Sequence, residues 1–251
     1  MPIDHKLECR STNYKPAALA AGFIFVNPPK YPPENVIFPP RRASPCRLIL
    51  YAKSHSMRKL KLQMQVSVDL FISSTESGMN WMIWPYSGPW TWDEELQKYF
   101  IDVTASNDTI LLGWDMADGG YIDHWTNIAG QKNNTQSVFA ANVVAAHKHV
   151  FSRKERRSRW DNTTTTTEDL ATEVLRLKNL PGKDMIAYGG VAFANALVRT
   201  GLIDEYHFIV NPAILGKGRS IFTKMDDILR LKPASAKVYP CGVSVLVYRP
   251  I

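Results

Sequence analysis

Polar and apolar residues begin to alternate at Leu60. Leu60, Leu62, Met64, Val66 and Val68 are apolar, and Lys61, Gln63, Gln65 and Ser67 fall between them. That two-residue period predicts a half-buried β-strand. Further on, Thr91-Trp92-Asp93-Glu94-Glu95 supplies an N-cap and an acidic first turn for a helix reaching about Thr104. Residues 109–113 have the apolar run of a short buried strand, and residues 114–125 are expected to follow as a short helix. Another strand is expected over residues 149–152. Thr166 or Thr167 stands where it would cap a helix over residues 168–177, with Leu170, Val174 and Leu177 on one face. Residues 184–188 predict a strand running into Gly189-Gly190. A helix follows, with Phe193, Leu197 and Val198 on its apolar side and Gly201 as its stop. After a strand at 206–210, residues 236–239 and 243–248 flank Pro240-Cys241-Gly242 as a closing hairpin. Strands alternating with helices, then strands alone, predict an α/β fold. Its central sheet is mixed but mostly parallel, flanked by helices, with an antiparallel C-terminal hairpin.

Composition divides the chain. Nine of its 16 prolines lie in residues 1–56. Proline removes backbone donors and restricts the residue before it, so this stretch builds no regular element and is expected to be a disordered or loosely docked extension. The domain is expected to occupy residues 57–251. The apolar run at 17–26 is too short to cross a membrane and lacks a small-residue cleavage pattern. The formal charge of +7 also divides unevenly, with +5 in residues 1–56 and +2 in the rest. The folded part is therefore near neutral and carries no nucleic-acid footprint. Cys9, Cys46 and Cys241 have neither disulfide-framework nor metal-ligand spacing, which points to a reducing compartment, the cytoplasm.

Several segments offer chemistry. In Tyr188-Gly189-Gly190 two glycines sit between a buried strand and a helix. They serve a tight turn, or they let a helix N-terminus approach a phosphate. The spacing is not the G-x-G-x-x-G fingerprint. The segment from Ser152 to Arg159 places five cations in seven positions after a strand. It is a solvated basic loop or a phosphate clamp. Both segments end strands, and open α/β sheets bind ligands at strand carboxyl ends. Asp69, ending the first strand, is a turn acid or a group for orienting substrate. Trp81, Trp84, Trp90 and Trp92 either cover a flat heterocycle or pack in the core. His147 and His149 lack a third ligand, so no metal is expected.

Taken in order, these segments resemble a known family. Gly189-Gly190, Ala196-Leu197, Gly201-Leu202-Ile203-Asp204-Glu205, Pro212-Ala213-Ile214-Leu215-Gly216-Lys217-Gly218 and Ile221-Phe222 are similar to the C-terminal half of one domain. That domain is the reductase part of the bifunctional riboflavin-biosynthesis deaminase–reductase (RibD C-terminal domain), which has stand-alone dihydrofolate-reductase-like relatives. Ser67-Val68-Asp69, Thr109-Ile110-Leu111-Leu112-Gly113 and Val150-Phe151-Ser152-Arg153 match its N-terminal half. No deaminase zinc motif is present in the sequence. The resemblance implies a dihydrofolate-reductase-like fold and an NADPH-dependent reductase of a small heterocycle, similar to the 5-amino-6-(5-phosphoribosylamino)uracil reductase. A dihydrofolate-type reductase and a non-catalytic nucleotide-binding scaffold are the alternatives.

The resemblance also implies roles for particular residues. Ser152 and Arg153 would meet the adenosine-side phosphate. Gly113, Gly189, Gly190, Val191 and Ala192 would surround the cofactor, with the pyrophosphate at the helix N-terminus. Asp69 and Glu205 would be the catalytic carboxylates, and Ser67 and Trp81 would face the substrate. A homodimer is expected, with no nucleic-acid or membrane partner. Three positions depart from the family pattern. Leu70 replaces a usual glycine, Trp114 a usual basic residue, and Gln63 a lysine of the riboflavin reductases.

Overall fold

A computed structural model describes residues 57–74, 80–86, 88–223, 225 and 227–251. The extension expected over residues 1–56 lies outside the described residues. The first strand, β1 (Leu60–Val66), is followed by α1 (Glu94–Ala105) and β2 (Asn107–Gly113). A broken helical stretch comes next: α2 (Trp114–Met116), a π turn (Ala117–Tyr121) and α3 (Ile122–Ala129). Then come α4 (Ser137–Ala145), β3 (His147–Phe151), β4 (Thr163–Thr166), α5 (Leu170–Lys178) and β5 (Asp184–Ala187). The chain closes with α6 (Val191–Arg199), β6 (Glu205–Val210), β7 (Leu231–Val238) and β8 (Ser244–Pro250). No helix among the described residues is long and apolar enough to cross a membrane.

The eight strands of the described residues join one sheet in the order β4-β3-β2-β5-β1-β6-β8-β7. The six from β4 to β6 are parallel, and β8 and β7 are antiparallel. One face packs on α1, α3 and α4 through Leu96, Phe100, Trp125, Phe139 and Val143. The other packs on α5 and α6 through Val174, Leu177, Ala194, Leu197 and Val198. This is the expected α/β architecture with its antiparallel C-terminal hairpin.

Four local expectations change. First, β1 is buried at all seven positions rather than half-buried. It lies between β5 and β6 with helices on both faces, so its polar residues need internal partners. Lys61 donates to Ser106 Oγ at 2.9 Å and pairs with Asp184 at 3.1 Å. Gln65 donates to the Trp84 carbonyl at 2.9 Å and accepts from Asn211 at 2.9 Å. Second, the cap of α5 is Asp169, which accepts from the Thr172 N–H at 2.9 Å. The threonines before it are spent on β4, where β-branched side chains suit an extended backbone. Third, α4 was not expected, because Ser-Val-Phe-Ala-Ala-Asn-Val-Val-Ala carries no amphipathic period. Fourth, the helix expected over residues 114–125 is interrupted by the π turn, where Gly120 has φ of 99°.

The turn after β1 explains one departure from the family pattern. Leu70 has φ of 62°, in the left-handed region where a Cβ is crowded and glycine is free. The chain keeps the backbone conformation of a glycine and accepts the strain of a leucine.

Candidate functional site

Four parallel strands end side by side in the order β3-β2-β5-β1. The segments that leave them are therefore neighbours along one edge: Ser152, Gly113-Trp114, Tyr188-Gly189-Gly190 and Ser67-Val68-Asp69. At about 4.8 Å per strand, the row spans roughly 15 Å. The expected cofactor residues are brought together here.

Phe193, in the first turn of α6, explains two of the glycines. A Cβ on Gly113 would lie 2.9 Å from Phe193 Cβ, and one on Gly189 would lie 2.7 Å from Phe193 Cδ1. These glycines let α6 settle against the ends of β2 and β5. Gly190 is different. It caps α6 with an extended backbone (φ −70°) and no side-chain hydrogen bond, and a Cβ there would meet nothing within 4 Å. The N–H groups of Val191 and Ala192 belong to the first turn, which has no intrahelical acceptors and carries the positive end of the helix dipole. Gly190 is thus free of positive-φ strain, and any side chain on it would enter the open space before that turn.

Ser67 and Asp69 form a clasp. Ser67 is fully buried, and its hydroxyl donates to Asp69 Oδ1 at 2.6 Å. Asp69 also accepts from the backbone N–H groups of Leu215 at 3.1 Å and Gly216 at 2.7 Å. The Ser67 hydroxyl, against some opposing desolvation and aided by the two N–H groups, holds the Asp69 carboxyl below its ordinary range. Asp69 is therefore an ionised anchor joining the turn after β1 to the loop at 212–218. Ser67 orders that turn, since its hydroxyl is spent inside it. Trp81 is half-buried at the start of the aromatic segment. The other three tryptophans are core residues rather than a lid: Trp84 stacks edge-on against Trp92 at 4.7 Å and Trp90 at 5.8 Å between centroids.

The basic loop after β3 borders a cavity of about 480 Å³ lined by Ser152, Arg156, Arg157 and the run Thr165, Thr166 and Thr167 among others. Arg153 is exposed and does not line it. The loop is tied down at its far end by Asp123, which accepts from Trp160 Nε1 at 2.9 Å and from Arg159 at 3.1 Å. Thr165 Oγ1 donates to the Arg156 carbonyl at 2.6 Å. The threonine run, a low-complexity tract by sequence, thus supplies hydroxyls to the cavity. Its β-branched composition was the available signal for a strand ending there.

Glu205 is not brought to this edge. It begins β6 level with Lys61, whereas Val66 is level with Val210, so it sits roughly 20 Å from Ser67 along the strand direction. There it accepts from Lys59 at 3.2 Å and Arg249 at 3.1 Å and meets His207 Nε2 at 3.3 Å. The hydrogen bond from His207, with Lys59 assisting, drives its carboxyl down to about 2. These partners mark it as a structural ion-pair centre. Gln63, level with His207 on β1, is buried, and neither amide atom has a hydrogen-bond partner among the described residues. His147 and His149 belong to a second cavity of about 400 Å³ at the opposite end of the sheet. There Glu173 Oε1 lies 2.9 Å from His149 Nε2.

Comparison with known proteins gives a consistent answer. Residues 58–245 match the sequence pattern of the RibD C-terminal domain. Uncharacterized protein YyaP of Bacillus subtilis (strain 168) is 29% identical over 194 residues, covering 76% of this chain and 94% of its own. Uncharacterized protein YwjB of the same strain is 22% identical over 189 residues, covering 75% and 96%. Among solved structures, a putative riboflavin biosynthesis protein from Shewanella sp. PV-4 superposes with a TM-score of 0.54 at 15% identity, over 77% of this chain and 99% of that one. A diaminohydroxyphosphoribosylaminopyrimidine deaminase/5-amino-6-(5-phosphoribosylamino)uracil reductase from Thermotoga maritima gives 0.53 at 14% identity, over 78% of this chain and 57% of that longer one. At such identities the likeness is one of fold, that of the dihydrofolate-reductase-like reductase domains.

Proposed function

The chain belongs to the RibD C-terminal domain family, and on that premise we propose that it is an NADPH-dependent reductase of a small heterocyclic substrate. The observation that carries the reading is the uncapped first turn of α6, open at Gly190, in one row with a cation-lined cavity. The residues present fit a dinucleotide. The N–H groups of Val191 and Ala192 would hold the pyrophosphate, and Gly113 and Gly189 keep α6 close enough to the sheet to present them. Ser152, Arg156 and Arg157 would hold the adenosine-side phosphate. Bound NADPH supplies the hydride. The protein's part is to orient it over the carboxyl end of β1, where Asp69 fixes the turn against the loop at 212–218.

Gln63 stands where the riboflavin reductases carry a lysine. An amide neither carries charge nor donates a proton at neutral pH, so an aminopyrimidine riboside and a pterin remain rival substrates. Both are small, planar and polar-edged. Two measurements test the proposal: titration of the full chain with NADPH and NADH by tryptophan fluorescence, then consumption of NADPH with a panel of pterins and aminopyrimidine ribosides. The expected result is tighter binding of NADPH and turnover of at least one compound. Failure to bind either dinucleotide overturns the cofactor reading. Binding without turnover across the panel favours the nucleotide-binding scaffold.

A further inference from the structure

Trp114 begins α2 immediately after Gly113, beside the cation-lined cavity. The guanidinium carbon of Arg156 lies 4.6 Å from the centre of its ring. Trp160 stands 5.8 Å away and is covered in the same manner by Arg159, also at 4.6 Å. The two arginines nevertheless differ electrostatically. Arg159 is matched by Asp123 at 3.1 Å and Asp118 at 3.5 Å. Arg156 forms no ion pair among the described residues and lines the cavity, as do Lys154, Arg157 and the single carboxylate Glu155. An aromatic face attracts a guanidinium without neutralising it, and it restricts a long side chain that otherwise samples many rotamers. A carboxylate would hold the arginine equally well but would cancel the charge needed to receive an anion.

We infer that Trp114 is a positioning residue that holds Arg156 at the cavity as the cation selecting a dinucleotide bearing a phosphate monoester over one ending in a free ribose hydroxyl. The inference rests on the dinucleotide reading above and names what discriminates within it. A phosphate monoester is close to a dianion at neutral pH. The lining cations Lys154, Arg156 and Arg157 outnumber Glu155, and the Thr166 hydroxyl, which accepts from the Glu168 N–H, keeps its proton to donate. A ribose hydroxyl gains little from that charge. Trp114 thus serves where the family pattern has a cation of its own: the ring carries none but holds one supplied by the loop after β3.

The test is a set of dissociation constants for NADPH and NADH, measured on the full chain and on Trp114→Leu, Trp114→Phe, Arg156→Ala and the Trp114→Leu/Arg156→Ala pair. Arg156→Ala and Trp114→Leu are each expected to weaken NADPH about tenfold while NADH changes by less than about twofold. Trp114→Phe should retain most of the affinity, because a phenyl face still attracts the guanidinium. The double variant should be no weaker than the weaker single variant, since the ring acts only through Arg156. Additive losses, or an NADPH-to-NADH ratio unchanged by Arg156→Ala, overturn the inference while leaving the cofactor reading intact. Failure of the unaltered chain to bind either dinucleotide overturns both. Arg156 is exposed, so its variant can still overturn the inference even if Trp114→Leu fails to fold, and Trp114→Phe/Arg156→Ala against its single variants then tests the coupling.

Discussion

At the amino ends of the strands, Arg58 pairs with Asp108, Lys61 with Asp184, Lys178 with Asp204, and Lys59 and Arg249 with Glu205. At the carboxyl ends, Lys154, Arg156 and Arg157 form no ion pair among the described residues, and α6 presents its first turn without a side-chain cap. The two edges belong to the same six parallel strands, so the difference lies in the connections. Where charges are buried, desolvation favours matching them, and the matched set closes this edge electrostatically even though a cavity opens there. Where cations stay in solvent, leaving them unmatched costs little, and the edge is free to receive an anion. An edge that resolves its charges internally contributes stability; one that does not is available for binding.

The largest effect should come from disturbing the closed edge at Glu205. Its carboxyl titrates near 2 in the folded chain against an ordinary value of 4.5. The unfolded chain therefore binds more protons between those values, and the stability Glu205 confers is complete above about pH 5 and drains away as pH falls toward 2. The shift corresponds to a contribution on the order of 3 kcal/mol. Denaturant unfolding across this range should give a stability that falls steeply with acid, and Glu205→Gln should flatten the fall and lower stability at neutral pH. NADPH affinity at neutral pH should not change. A loss of affinity without a loss of stability would return Glu205 to the binding machinery and erase the contrast between the edges.

Within the open edge, the adjacent glycines should separate. Gly189→Ala presses a methyl onto Phe193 and should cost about 2 kcal/mol of stability, as overpacking does. Phe193→Leu in the same chain should recover part of it. Gly190→Ala should leave the melting temperature unchanged, because its Cβ enters open space, but weaken NADPH about tenfold by occupying the approach to the α6 N-terminus. The reverse pattern, stability lost at 190 and affinity lost at 189, would move the phosphate site elsewhere.

The smallest effect concerns Leu70, beside the clasp of Ser67 and Asp69. Replacing a left-handed leucine by glycine relieves strain but loosens the unfolded chain, so Leu70→Gly should stabilise by about 0.5–1 kcal/mol. Equilibrium unfolding reads this directly, and a destabilised variant would mean that the exposed leucine side chain makes a contact worth more than the strain.

How far the sequence foretold this molecule varied with how local each signal was. The strands β1, β2, β5 and β6 and the hairpin were legible because two-residue alternation and turn residues act over a few positions. The helix α4 was hidden by a uniformly apolar sequence, and β4 by a threonine run that resembles a linker. Strand direction is also a signal: Glu205 begins β6, so in a parallel sheet it falls at the opposite edge from the residues that follow β1. The closeness of Phe193 to Gly113, and of Arg156 to Trp114, joins segments dozens of residues apart. Neither could be read from local pattern.

The connection from β3 to β4 has a further consequence. The two strands are adjacent and parallel, yet no helix joins them; residues 152–162 alone return from one edge of the sheet to the other. Near its start this segment borders the cavity with Arg156, and at its end the Asn162 carbonyl accepts from the Lys148 N–H at 2.9 Å. Recognition of an anion and attachment of the outermost strand are therefore properties of one continuous piece of backbone. A ligand that quiets the segment should also slow hydrogen exchange along β4, from Thr165 and Thr166 at the cavity to Thr163 at the other end of the strand. By the same link, deletions that shorten the segment should detach the strand before they abolish binding, so the length of this loop is guarded by folding as well as by function.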